Sequence, residues 1–211
     1  MNASSSPRLE TLMSHYPALE GCVQDIESAF VLLREMYSRG NKVLICGNGG
    51  SASDSDHISG ELLKGFQSLR PLSQEDRSAL GDDLADHLQQ SLPAIPLTSF
   101  PALSSAYLND VSAVYSYAQL TLGLGQPGDV LWGISTSGNA ENVCHALKVA
   151  RATQLGTLGL TGETGGAMRD YCDVCIRVPS RETYRIQEFH LPIYHCLCLM
   201  LEDHFFPGDV S

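Results

Sequence analysis

The chain has 211 residues, 43% apolar and 18% charged, with 19 glycines and 10 prolines spread along it, which excludes disordered and collagen-like chains and suits one globular domain. Against 24 acidic residues stand only 13 basic ones, a net charge of −11, so a broad basic face for nucleic acid or an anionic membrane is excluded. Any anionic ligand has to be held locally.

From residue 7 to about 39, apolar side chains including Leu19, Val23, Ile26, Phe30, Leu33 and Met36 recur at helical spacing and stop at Gly40, predicting one long helix or two broken near Pro17. This apolar face looks larger than one sheet can cover, so residues 1–40 are expected to form a helical extension that packs between subunits. The run Lys42-Val43-Leu44-Ile45-Cys46 reads as a buried strand entering the turn Gly47-Asn48-Gly49-Gly50-Ser51, with a helix starting near Ser51. Residues 70–92 look like an insertion whose acidic, helix-prone part, 73–90, lies on the surface. Further strands are expected at 94–98, 130–135, 157–160 and 174–178, with helical patterns between them, which makes a parallel sheet covered on both faces. Asn109 and Asp110 read as a cap on a helix over residues 111–123. The last element, residues 181–206, reads as a helix of about seven turns in spite of Pro192.

No apolar run of about 18 residues spans a bilayer, and the stretch Met1 to Pro7 lacks a basic-then-apolar leader pattern, so the expected location is the cytoplasm. The cysteines number 7 and mostly sit in apolar stretches, which predicts buried thiols rather than a disulfide framework. Cys172 and Cys175 have the spacing of half a zinc site but lack a second pair.

Two turns fall where strands enter helices, the place at which parallel sheets bind ligands. In the first, Asn48, Gly49, Gly50 and Ser51 offer close backbone approach and a hydroxyl. In the second, Ser135, Thr136 and Ser137 follow a strand directly and precede Gly138-Asn139. The first turn alone reads equally well as a plain connection, and it fits neither the dinucleotide nor the Lys-bearing nucleotide pattern. The two together point to a sugar phosphate.

His57 and Glu61 lie four residues apart on one helix face. Gln187 and His195 are eight apart, about 80° round their helix from one another. Two imidazoles, a carboxylate and an amide oxygen suit zinc or a similar divalent ion, although a histidine by itself is more often a core or capping residue. His190, about 140° round from His195, is expected on another surface, while His145 and His204 read as surface or packing histidines.

Taken in order, Gly47-Asn48-Gly49-Gly50-Ser51, His57 with Glu61, Gly133 to Asn139, Arg185-Ile186-Gln187-Glu188 and His195 resemble the phosphoheptose isomerases of the sugar-isomerase (SIS) domain family over nearly the whole chain. The resemblance implies a single α/β domain with a five-stranded parallel sheet flanked by helices, doubly wound in the flavodoxin- or Rossmann-like manner, assembled as a homotetramer. It implies interconversion of sedoheptulose 7-phosphate and D-glycero-D-manno-heptose 7-phosphate through an enediol. Zinc would be held by His57, Glu61, Gln187 and His195, with Glu61 and His195 as acid and base and the two turns as the phosphate site. Asn109, Asp110 and Gln187 would touch substrate. Because a zinc-bound carboxylate is a weaker base, the double role of Glu61 requires loose or changing ligation.

The chain departs from the family pattern at Ala140, where a hydroxyl is usual, and at Ser99 and Tyr184, where many heptose isomerases carry Asp. These departures bear on the choice of sugar. Relatives with the same domain also act as non-catalytic sugar-phosphate sensors or adaptors, but those lose the carboxylate that Glu61 retains here.

Overall fold

The computed structural model describes residues 6–207, so Met1 to Ser5, which contain most of the stretch read for a leader, lie outside the described residues. Nine α-helices are described: α1 (Pro7–His15), α2 (Val23–Ser38), α3 (Gly50–Leu63), α4 (Gln74–Leu80), α5 (Asp82–Ala85), α6 (Pro101–Asp110), α7 (Ser116–Leu124), α8 (Glu141–Ala152) and α9 (Thr183–Phe205). The strands are β1 (Val43–Gly47), β2 (Ala94–Pro96), β3 (Val130–Ser135), β4 (Gly156–Thr161) and β5 (Val174–Arg177), all parallel, in the order β2-β1-β3-β4-β5. This order reverses direction between β1 and β3, and the crevice beyond their carboxyl ends is where such sheets bind ligands.

The expected strands are present within a residue or two at their ends. β1 is buried at all five positions, as a strand covered on both faces must be. Its alternate side chains feed two cores. Val43 and Ile45, with Trp132, Leu158 and Ile176, pack beneath α1, α2, α3 and α9; Leu44 and Cys46, with Leu131, pack beneath α7 and α8. Gly133 of β3 is required here, because a Cβ would stand 2.8 Å from Val143 of α8.

The N-terminal segment does break at Pro17, where a 3₁₀ turn (Pro17–Cys22) joins α1 to α2. Its apolar face, however, is consumed inside this one chain. Leu9, Leu12, Leu19, Ile26, Leu33 and Met36 are all buried, packed chiefly against α9 and β5. The premise of that expectation, that one sheet cannot cover this face, is answered within the chain: the long α9 supplies the further cover. α9 continues through Pro192, and Glu188, whose main-chain carbonyl loses its helical N–H partner, is exposed.

The insertion forms two short surface helices, α4 and α5, with Leu80, Leu84 and Leu88 exposed. It is pinned at its root by Arg70, which is completely buried and pairs with Glu202 of α9 at 2.8 Å. Arg70 also donates to the carbonyls of Leu62 at 2.7 Å and Glu61 at 3.2 Å, filling acceptors that the end of α3 leaves open. Among the described residues no helix is long and apolar enough to cross a membrane.

Candidate active site between two strand ends and two helices

A cavity of about 330 Å³ opens at the carboxyl ends of β1 and β3. Asn48, Gly49, Gly50 and Ser51 line one side, Ser135, Thr136, Ser137 and Ala140 the other, and Thr183 and Gln187 at the start of α9 close it. Both predicted turns thus meet in one place. Gly49 adopts φ +56° to turn the chain into α3, and neither Gly49 nor Ala140, the residues that precede α3 and α8, caps its helix with a side chain. The N–H groups of Ser51 and Ala52 turn back to the carbonyls of Asn48 and Gly49 and that of Val143 to Asn142 Oδ1, so what each helix start offers an anion is its partial positive charge.

The second loop is held by its neighbours. Gly138, at φ +66°, leaves no room for a Cβ, which would stand 2.0 Å from the carbonyl of Gly165. Asn139 accepts the N–H of Ala167 at 2.9 Å, and the Gly138 carbonyl accepts that of Met168 at 2.9 Å. Asn48 and Asn142 exchange two amide hydrogen bonds of 2.9 Å, joining the first loop to α8. The hydroxyls of Ser51, Ser135 and Thr136 make no hydrogen bond among the described residues, so they are unspent donors in the cavity. Ala140 lines the wall, and its methyl group leaves that point without a donor.

Gln187 lies against the N-terminus of α3, close enough that a Cβ on Gly50 would meet its Nε2. From there α3 and α9 run side by side down the molecule. His57 is seven residues beyond Gly50 and His195 eight beyond Gln187, so both sit about 10–12 Å along the helices from the cavity. His57 Nε2 is 3.2 Å from Glu61 Oε1, and the rings of His57 and His195 meet edge to face with centroids 5.0 Å apart. Burial, and then the neighbouring His57, lowers the His195 imidazole below its ordinary value, favouring the neutral ring.

Two metal-ligand types in this cluster hold buried atoms without a hydrogen-bond partner, Glu61 Oε2, which has only the Lys64 ammonium 3.9 Å away, and His195 Nε2. Their unspent state and their nitrogen and oxygen chemistry fit a divalent cation, although among the described residues no three His, Cys, Asp or Glu side chains are gathered as a metal-holding group.

Several expectations are placed elsewhere. Asn109 and Asp110 do not cap a helix over 111–123; they end α6, exposed and bonded to each other at 2.7 Å, and a 3₁₀ turn (Ala113–Tyr115) and α7 follow. The cavity as formed by this chain does not include them. His190 faces the interior, not another surface: it is fully buried, and burial pushes its imidazole down to about 4. His145 is the packing histidine expected, stacked on Tyr115 with ring centroids 4.6 Å apart, and Arg185 forms a salt bridge along α9 with Glu188 at 2.7 Å. Ser99 is exposed, while Tyr184 is 61% exposed and bonds to Glu182, so neither lines the cavity in this chain. Thr183 does line it, and sequence reasoning passed it over because a lone threonine before a helix reads as an ordinary cap.

A family model described as the SIS domain matches residues 18–162. The chain belongs to the SIS domain family. Within that family it is 39% identical over 203 residues to the phosphoheptose isomerase of Alteromonas mediterranea, covering 95% of this chain and 93% of that one. Among solved structures it is similar to phosphoheptose isomerases from Neisseria gonorrhoeae, with a TM-score of 0.73, 31% identity and 91% and 93% of the two chains covered. The enzyme from Francisella tularensis superposes with a TM-score of 0.76 at 29% identity over 92% and 93%.

Proposed function

We propose that the protein is an aldose–ketose isomerase that interconverts sedoheptulose 7-phosphate and D-glycero-D-manno-heptose 7-phosphate. The observation that carries this reading is the spacing of two unlike sites along α3 and α9. A cup of hydroxyls and main-chain N–H groups lies about 10–12 Å from an imidazole–carboxylate cluster. An extended seven-carbon chain with a terminal phosphate reaches about 10 Å at roughly 1.5 Å per C–C bond. With its phosphate in the cup, C1 and C2 come to the cluster.

Isomerisation moves a proton between C1 and C2 through an enediol and needs a base, an acid and stabilisation of oxygen charge. Glu61, half-buried and with its Oε2 free of hydrogen bonds, is the proton carrier on one side of the substrate. His195, held neutral by its surroundings, is its counterpart on the other. Ser51, Ser135, Thr136 and Ser137 hold the phosphate, with Asn48, Gly49 and Gly50 supplying main-chain contact, and Gln187 closes the cup on the α9 side. His57, Glu61, Gln187 and His195 are the residues that would hold zinc. Such an ion supplies Lewis-acid polarisation of the substrate carbonyl and a counter-charge for the enediolate. The family likeness also supports a cytoplasmic homotetramer, in which Asn109 and Asp110 would reach substrate only across a subunit boundary.

The test is conversion of sedoheptulose 7-phosphate by the zinc-loaded protein, alongside a panel of other aldose and ketose phosphates. Turnover of the heptulose above all others is expected. Binding of sugar phosphates without turnover by any metal form would instead favour a non-catalytic sensor or adaptor. Elemental analysis showing no divalent ion after supplementation would remove zinc from the reading, and a monomer at micromolar concentration would remove the tetramer.

A further inference from the structure

His57 does not stand alone behind Glu61. Its Nδ1 lies 3.1 Å from the Tyr194 hydroxyl, and that hydroxyl donates to Asp54 Oδ1 at 3.2 Å. The three groups come from two elements: Asp54 and His57 sit one turn apart on α3, and Tyr194 reaches across from α9, one residue before His195. Tyr194 is only 1% exposed, and its ring packs edge to face on both His57 and His195, with centroids 5.5 and 5.0 Å away.

A tyrosine hydroxyl has one proton to give. Asp54, a carboxylate that can only accept, takes it. The tyrosine oxygen then accepts, and among the described residues the group placed to donate to it is His57 Nδ1–H. We infer that Asp54 and Tyr194 form a positioning relay that fixes His57 in its Nδ1–H tautomer and turns a bare Nε2 toward Glu61 and His195.

The relay leaves one unfavourable contact. His57 Nε2 without a proton faces Glu61 Oε1 at 3.2 Å, acceptor against acceptor. In the metal-free protein the hydrogen bonds through Tyr194 to Asp54 offset that cost, and a cation beside the two atoms removes it. Metal-binding imidazoles owe their orientation to a hydrogen bond from the remaining ring N–H, and loss of such partners typically weakens metal binding by about 10–100-fold. The part of the inference that concerns zinc rests on the functional reading above; the tautomer does not.

The test uses the full-length protein, metal-free and zinc-loaded, with Tyr194→Phe and Asp54→Ala. Tyr194→Phe keeps the ring and its packing and removes only the hydroxyl. Two-bond ¹⁵N–¹H spectra of the metal-free protein, at a pH where the histidines are neutral, report the His57 tautomer. The wild type is expected as Nδ1–H. Tyr194→Phe is expected to move it to Nε2–H, now donated to Glu61. Asp54→Ala is expected to do the same without touching His57, because the freed tyrosine proton turns to Nδ1. A merely structural role for Asp54 predicts no such change. Zinc affinity by chelator competition should fall about 10–100-fold in either variant. An unchanged tautomer in both variants would overturn the relay, as would an Nε2–H ring in the wild type. A wild type that binds no zinc, yet loses Nδ1–H in both variants, supports the relay and overturns the zinc reading alone.

Discussion

At the strand ends the site is built from main-chain turns and neutral hydroxyls, whereas about 10–12 Å further along α3 and α9 it is built from imidazoles and a carboxylate. The cup is braced from several sides, by the Asn48–Asn142 pair and by the contacts of Gly138 and Asn139 with Met168 and Ala167. The cluster depends on two helices keeping register, and it holds buried atoms without hydrogen-bond partners among the described residues. On the proposed function, such an arrangement gives uniform binding at one end, felt equally by ground state and transition state, and at the other end groups whose value appears only during reaction. On that reading the chain's acidity poses no difficulty for an anionic substrate, since helix starts and hydroxyls take the place of lysine in the cup.

This contrast breaks most sharply at Glu61. Glu61→Gln is expected to lower kcat about 10²–10⁴-fold with little change in KM, the loss of one general acid–base group. Steady-state kinetics on sedoheptulose 7-phosphate measure it, and a KM effect of equal size would place Glu61 in binding instead.

Next in size is the clamp behind the cluster. Arg70 and Glu202 have side chains 0% and 3% exposed. Burial by itself raises the Glu202 carboxyl, but the N–H groups of Phe66, Gln67 and Ser68 together with Arg70 hold it below its ordinary value. Arg70→Met strands that charge and frees the carbonyls at the end of α3, so a loss of about 3–5 kcal/mol is expected in denaturant unfolding. If stability held while kcat fell, the clamp would be an aligning device more than a stabilising one.

Between cup and cluster on α9 lies His190, buried and neutral. Its folded value of about 4 lies below the ordinary 6.5, so the unfolded chain takes up the proton first on acidification. Stability is therefore full above about 6.5 and declines as pH falls toward 4, by about 3 kcal/mol at 1.36 kcal/mol per pH unit. Unfolding curves at several pH values measure this slope, and His190→Leu should flatten it.

The smallest effect belongs to the cup. Ser137→Ala is expected to cost about 1 kcal/mol of phosphate binding, roughly a fivefold rise in KM with kcat kept, because other donors remain. A fall in kcat without a change in KM would erase the division of labour between the two ends.

Much of this was legible in residues. Short apolar runs ending in glycine or hydroxyl clusters mark β1 and β3 together with their loops, because a buried parallel strand must be continuously apolar and its exit turn must be small. The four-residue step from His57 to Glu61 is likewise a local property of a helix. Asn109 and Asp110 were not legible: a polar pair reads alike as the end of one helix or the start of another, and the neighbouring Tyr107 and Leu108 decide nothing. Arg70 was equally hidden. In sequence it is one basic residue at the edge of an acidic insertion, and only its partner 132 residues away makes it a buried clamp.

By itself, then, the sequence determined the periodicities, the turn chemistry and the residue types fit for phosphate and proton transfer, because these depend on neighbours within about two helical turns. Tertiary structure decided everything that joins distant segments. It laid α9 over α1 and α2, so that the N-terminal apolar face is spent within the chain, and it set Gln187 against Gly50. It also brought Tyr194 between Asp54 and His57, a contact across 137 residues. Burial and hydrogen-bond partnership belong to packing, and one-dimensional spacing carries no record of which distant surface will cover a given side chain.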